Sequence, residues 1–220
     1  MPKWINLTHT LHENIPTWDG SCGFTCTNIL DYEESQFRVQ KIEMLAGVGT
    51  HIDAPAHCFI DGKTIDEIPL NSLITHCLMI DVSKVADAHY TVEMDAINKF
   101  EKLHGEITKD AFVLFYTGWE RFWDDPEKYH NNHQFPAISR EVAEYLVAKD
   151  IAGIGIDTLS PDRGDNGFPV HQVILGAGKY IVENVAKAQS MPQAGGSVYI
   201  VPIQINKGTE APVALLGSIS

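Results

Sequence analysis

The chain has 220 residues, enough for one domain that buries about 70% of its unfolded surface, so neither disulfides nor a structural metal is needed merely to fold it. Lys and Arg total 16 against 29 Asp and Glu, a net charge of −13, which argues against a polyanionic partner such as nucleic acid or an acidic membrane surface. No apolar run approaches the ~18 residues of a membrane span, and the segment from Met1 to Thr10 has no sustained apolar stretch, so a soluble, unsecreted, cytoplasmic protein is expected.

No internal repeat, low-complexity tract or polar linker divides the chain, and one domain over residues 1–220 is expected. Short β-branched or aromatic runs predict strands at Phe37 to Met44, Cys77 to Val82, Ala111 to Tyr116, Ile151 to Ile156, Tyr180 to Val185, Val198 to Ile205 and Val213 to Leu216. Helical spacing predicts one helix from about Thr91 to Leu103, with Met94, Ile97, Phe100 and Leu103 on its apolar stripe. A second is expected from about Ser139 to Ala148, with Ser139 as N-cap. Only the stretch from Ala111 through this second helix to Ile156 reads as a βαβ unit, so the expected fold is α/β, a mixed sheet rich in strands with few helices. Between them, Gly118 to Pro136 mixes turn residues with Trp119, Phe122, Trp123 and Tyr129; it reads as a long loop whose aromatics either line a pocket or anchor the loop.

The chemistry concentrates in Gly47-Val48-Gly49-Thr50-His51-Ile52-Asp53-Ala54-Pro55-Ala56-His57. If this segment is extended, His51, Asp53 and His57 share one face while Ile52, Ala54 and Ala56 take the other. Clustering three ionisable groups without a counter-charge is costly, and imidazole and carboxylate both bind Zn²⁺ or Mn²⁺ at about 2.0 to 2.2 Å, so a metal-and-proton face is expected. Cys58 follows directly but would point inward in an extended segment, as a structural thiol. Cys22 and Cys26 lack the Cys-x-x-Cys spacing and a second pair at finger spacing, and no disulfide framework is expected. Further on, a polar loop from Ser160 to Gly167 leads to His171, which alone would read as a loop histidine. Glu183 interrupts the apolar run Tyr180 to Val185, and an acid there wants a cation or a donor.

With these residues in view, the chain resembles the cyclase family of metal-dependent hydrolases, best understood in its bacterial kynurenine formamidase branch, with isatin hydrolases as relatives. The resemblance rests on Trp18 in Pro16-Thr17-Trp18, the Gly49 to His57 block, the Asp157-Thr158 to His171 segment, Glu183 and the closing Glu210-Ala211-Pro212-Val213. It implies a swivelling β/β/α fold, usually in dimers or tetramers. It further implies that His51 and Asp53 bind metal, that Asp53 and Glu183 bridge two metals, that His171 binds the second, that His57 exchanges protons and that Trp18 packs on an aromatic substrate. The ion expected is Zn²⁺, with Mn²⁺ the alternative, one or two per chain. The partner expected is a small molecule, with a homo-oligomer as the assembly.

One position departs from the pattern: Gly47 stands where the family carries a histidine ligand, four residues before His51. The first metal site thereby loses an imidazole. Lys41 and Glu43 lie further back and Met44 is a poor donor for a hard site, so no nearby replacement is expected and water is left to fill the place. The activity implied is hydrolysis of a formamide or amide carbon–nitrogen bond, as of N-formylkynurenine. The alternatives are another cyclic amide or lactone, and a metal- or small-molecule-binding protein without catalysis.

Overall fold

The apolar runs become the staves of a closed barrel. The computed structural model describes residues 2–219 and holds twelve strands and six α-helices among them. The strands are β1 (Lys3–Asn6), β2 (Phe24–Leu30), β3 (Val39–Met44), β4 (His51–Asp53), β5 (Ile74–Asp81), β6 (Thr91–Val92), β7 (Phe112–Tyr116), β8 (Ala137–Ile138), β9 (Gly153–Ile156), β10 (Tyr180–Glu183), β11 (Gly196–Pro202) and β12 (Glu210–Ile219). The helices are α1 (Tyr32–Ser35), α2 (Leu70–Leu73), α3 (Met94–His104), α4 (Pro126–His130), α5 (Arg140–Ala148) and α6 (Pro169–Gly176).

Strands β5, β7, β9 and β10 run parallel, while β4, β12 and β11 complete the circuit antiparallel, because β12 pairs with both β11 and β4. Closure leaves β1 as an added strand on β12. The α/β fold with a strand-rich mixed sheet is as expected. The count of crossovers is not: α3 links β5 to β7, α5 links β7 to β9, and α6 links β9 to β10, making three βαβ units where the sequence reading allowed one. The third was hidden because α6 begins with Pro169 directly after a polar loop, and Pro is acceptable at the first helical position.

Strand alternation sorts the core into two layers. Ile52, Phe112, Leu114, Val182, Val198, Ala211 and Leu215 fill the barrel interior. Val113, Phe115, Ile154 and Ile181, one residue out of step, pack outward under Ile97 and Phe100 of α3, Val142 and Leu146 of α5, and Val170 and Ile174 of α6. The N-cap of α5 is as read: the Ser139 hydroxyl accepts from the Val142 N–H at 3.3 Å. The predicted first helix loses its opening residues, since Thr91 and Val92 pair with Ala137 and Ile138 as strand.

The segment 118–136 is no featureless loop. It holds α4 and two 3₁₀ turns, and buries Trp119, Trp123, Tyr129 and Phe135 against Ile15, Phe24 and Val48. Of the two readings offered for its aromatics, anchoring is the one the packing supports. No helix among the described residues is long and apolar enough to cross a membrane.

Candidate metal centre

Strand β4 is only three residues long, yet it places the site, because it lies between β10 and β12. Its register sets His51 opposite Glu183 on one side and Asp53 opposite Glu210 on the other. Directly paired residues point to the same face of a sheet, so one imidazole–carboxylate pair and one carboxylate–carboxylate pair arise from pairing alone. Ile52 faces the barrel interior, which sends His51 and Asp53 to the outer surface, beneath α6.

Helix α6 supplies His171. Its start is tied down by Asp162, whose carboxylate accepts from the backbone N–H groups of Val170 at 3.1 Å and His171 at 3.0 Å. The same carboxylate accepts from His171 Nδ1 at 2.8 Å. His171 therefore sits in the first turn of a helix, not on a loop, and presents Nε2 to the site. His51 is fixed by the same logic: its Nδ1 meets the Gly49 carbonyl at 2.9 Å, and a carbonyl can only accept, so Nε2 faces the carboxylates. Asn184, from just beyond β10, donates to that Gly49 carbonyl at 2.9 Å and holds the turn in place.

Four contacts then define the centre. His51 Nε2 lies 3.4 Å from Asp53 Oδ1 and 3.4 Å from Glu183 Oε2. His171 Nε2 lies 3.6 Å from Asp53 Oδ2 and 3.5 Å from Glu183 Oε1. Each carboxylate thus turns one oxygen to each imidazole. These separations are long for hydrogen bonds. They match donors sharing an ion, since two ligands about 2.1 Å from a tetrahedral centre stand about 3.4 Å apart. Asp53 Oδ1 and Glu183 Oε1 are buried with no hydrogen-bond partner, a costly arrangement that a cation relieves. His51, Asp53 and Glu183 form one donor group, and Asp53, His57 and Glu210 form a second that shares Asp53. The residues fit a divalent ion.

Without an ion, the charges compensate one another. Burial opposes protonation of His51 and His171. The carboxylates of Asp53 and Glu183 outweigh it at His51, and those of Asp162, Asp53 and Glu183 do so at His171, so both imidazoles are held well above their ordinary range. Burial would raise the Asp53 carboxyl, but His51 and His171 hold it well below the usual carboxylate range. An ion would take the place of those protons.

His57 reaches the site by a different route from the one expected. The extended run ends at Asp53, and Pro55–His57 forms a 3₁₀ turn, so His57 does not share a strand face with His51. It nonetheless opens onto the same cavity, with its ring 5.9 Å from that of His171 and Nδ1 3.3 Å from Glu210 Oε2. Contact with Glu210 raises its pKa, burial works against this, and the Asp53 charge adds to the rise. Cys58, expected to be wholly inward, is half-buried: it packs against the outer core layer and also borders the cavity.

The expectation that water fills the place of a side chain at Gly47 is not met. A Cβ built on Gly47 collides with the Glu210 carboxylate, which already occupies that space. The sequence reading names Glu210 in the closing motif but gives it no place in the site, because an acid at the head of the last strand becomes meaningful only once β12 is known to pair with β4. Asp162 was missed likewise, since helix caps are sought beside the first turn and this one comes from eight residues upstream.

A cavity of about 410 Å³ lies above the cluster, walled by Trp18, Leu159 and Phe168 and large enough for a small aromatic molecule. Trp18 is braced from behind: His133 stacks on it with ring centres 4.0 Å apart, and His130 and His133 both contact its carbonyl oxygen through Nε2.

A buried pair of imidazoles and carboxylates beneath an aromatic-walled cavity, with a third imidazole at hand, defines a metal-dependent hydrolase. Residues 5–163 match the model of the Cyclase family, described as "Putative cyclase". A kynurenine formamidase from Geobacillus thermodenitrificans is 31% identical over 188 residues, 84% of this chain and 83% of that protein. An isatin hydrolase A from Labrenzia aggregata, solved with benzyl benzoate, superposes with a TM-score of 0.92 at 28% identity, covering 99% of this chain and 94% of that one. A structure described as a predicted metal-dependent hydrolase from Bacillus stearothermophilus superposes at 0.80 with 26% identity, covering all of both chains. The chain belongs to the cyclase family of hydrolases.

Proposed function

We propose that the protein hydrolyses a carbon–nitrogen bond in an aryl formamide or amide, most like N-formylkynurenine giving kynurenine and formate. The observation that carries this reading is the pair of Nε2-presenting imidazoles facing two shared, partly orphaned carboxylates at the base of the cavity. His51, Asp53, His171 and Glu183 would hold the divalent ion, which, when bound, lowers the pKa of a water toward ~7 and polarises a carbonyl oxygen. Asp162 and the Gly49 carbonyl keep the two ring tautomers that present Nε2. His57 takes a proton from the attacking water and returns it to the departing nitrogen, and its exposure to the cavity gives it access to both. Trp18 offers one ring face to an aromatic substrate, while His133 covers the other and prevents it from swinging away.

A second reading, opening of a cyclic aryl amide such as isatin, is favoured by the 0.92 TM-score with isatin hydrolase A and uses the same residues. The test is elemental analysis of the purified chain, coupled to formate release from an N-formyl aromatic amine and to isatin ring opening in parallel. Metal with formate release supports the first reading, and metal with ring opening alone supports the second. A protein without bound metal, or with metal and neither activity, rejects both.

A further inference from the structure

Gly47 is not a glycine that its backbone demands. It is absent from the glycines with positive φ, so a side chain there meets no conformational penalty. The obstacle is steric: the nearest atoms to an added Cβ belong to the Glu210 carboxylate, with Glu210 Cδ at 3.3 Å and His51 Nε2 at 3.4 Å. The vacated space therefore lies beside the nitrogen that His51 turns toward Asp53 and Glu183, and it is filled by an acid from the neighbouring strand.

The register makes this placement reproducible. Glu210 is the direct partner of Asp53 across β4 and β12, so both side chains leave the sheet on the same face. Donor atoms of Asp53, His57 and Glu210 lie within 4.8 Å of one another. The two oxygens of Glu210 are divided: Oε2 lies 3.3 Å from His57 Nδ1, while Oε1 is the atom in the space at Gly47. Asp53 Oδ1, 3.4 Å from His51 Nε2, remains buried without a hydrogen-bond partner, an atom that a bound cation would satisfy.

We propose that Glu210 is a metal ligand in this chain, its carboxylate standing where a side chain at position 47 would otherwise donate beside His51. The inference rests on the reading of the cluster as a metal centre and goes beyond it in naming a fifth protein ligand. It also changes the character of the donor set. An oxygen donor in place of a nitrogen favours harder ions, because carboxylates suit Mn²⁺ while imidazoles suit Zn²⁺. A third carboxylate also leaves less net positive charge at the site once it is loaded.

The experiment is competitive titration of the metal-stripped protein with Zn²⁺ and Mn²⁺ against a chromogenic chelator, with Co²⁺ absorption as a second readout of coordination. Glu210→Gln replaces the charged oxygen donor by a neutral, weaker one at nearly constant shape and should weaken Mn²⁺ binding at least tenfold and alter the Co²⁺ spectrum, without lowering the melting temperature of the metal-free protein. The pair Gly47→His with Glu210→Gly should restore Zn²⁺ binding to within about threefold of wild type and raise the ratio of Zn²⁺ to Mn²⁺ affinity. Gly47→His alone should bind worse than the pair, because the new side chain meets Glu210. Wild-type affinity, stoichiometry and Co²⁺ spectrum in Glu210→Gln would overturn the proposal, including the case in which only the pH profile moves and Glu210 serves His57 alone. Failure of the wild-type chain to bind any of the three ions would instead remove the metal centre itself.

Discussion

Three residues around the cluster carry different burdens, and substitutions should separate them. His57 is a proton carrier outside the four-residue donor cluster, so His57→Ala should retain the ion and lose about 10² to 10⁴ in turnover. Metal content and kcat measured on one preparation check this, and wild-type turnover rejects the role. Trp18 faces the cavity with its back on His133, so Trp18→Ala should raise KM for aromatic substrates while changing kcat little. An unchanged KM rejects the platform. Asp162 belongs to neither donor group but accepts from His171 Nδ1 and two backbone N–H groups. Loss of such a partner typically costs 10- to 100-fold in metal affinity, and Asp162→Asn should fall in that range. Titration with Zn²⁺ decides, with equal affinity in the variant counting against the positioning role.

At the scale of elements, the legible parts were those whose side chains declare their surroundings locally. Strands β5, β7, β9 and β10 are short apolar runs, and α5 begins at a serine that caps it, so each was found close to its place. What escaped was fixed by distant pairing. The three-residue β4 is a strand only because β10 and β12 flank it, and Glu210 belongs beside Asp53 only through that register. The His57 turn was hidden because a 3₁₀ segment of three residues has no periodicity to read. The elements anchored by the segment after β7 also set a pH dependence. Glu120 there is pushed up to about 7 from 4.5, chiefly by burial, with Asp157 adding to the rise and the Lys187 N–H opposing it. A raised acid keeps its proton in the fold, so its contribution to stability falls as pH rises from about 4.5 through about 7. Glu120→Gln cannot ionise and still offers an oxygen to Lys187. Its melting temperature relative to wild type should therefore climb across that window and level off above it, whereas parallel curves would exclude Glu120 as the cause. His9, stacked on Trp123 and lowered to about 4 by burial and then Lys187, works in the opposite sense. Its neutral ring loses stability for the fold as pH falls from 6.5 toward 4, so Glu120→Gln should leave that acid-side decline intact.

The whole molecule sets charge against apolar exposure. A net charge of −13 repels other copies of the chain, which by itself favours a monomer. The hairpin of β2 and β3 opposes this, because it forms its own two-stranded sheet outside the barrel and leaves Ile29, Leu30, Phe37, Val39, Ile42 and Met44 exposed. Isolated exposed apolar residues are ordinary, but six on one hairpin, spread over both of its sides, are more apolar exposure than so small an element usually leaves uncovered. A two-stranded ribbon is also only marginally stable alone, so burial of these side chains would strengthen the element itself. We therefore expect the chain to self-associate through the hairpin, more strongly at higher ionic strength, where the acidic repulsion is screened while apolar burial is not weakened. Sedimentation velocity at low and moderate salt reads this directly. Ile42→Asp, which places a charge in the middle of the exposed strand, should shift the distribution toward monomer with metal content unchanged. A wild-type chain that stays monomeric at both salt concentrations would show that the hairpin does not join copies of this chain.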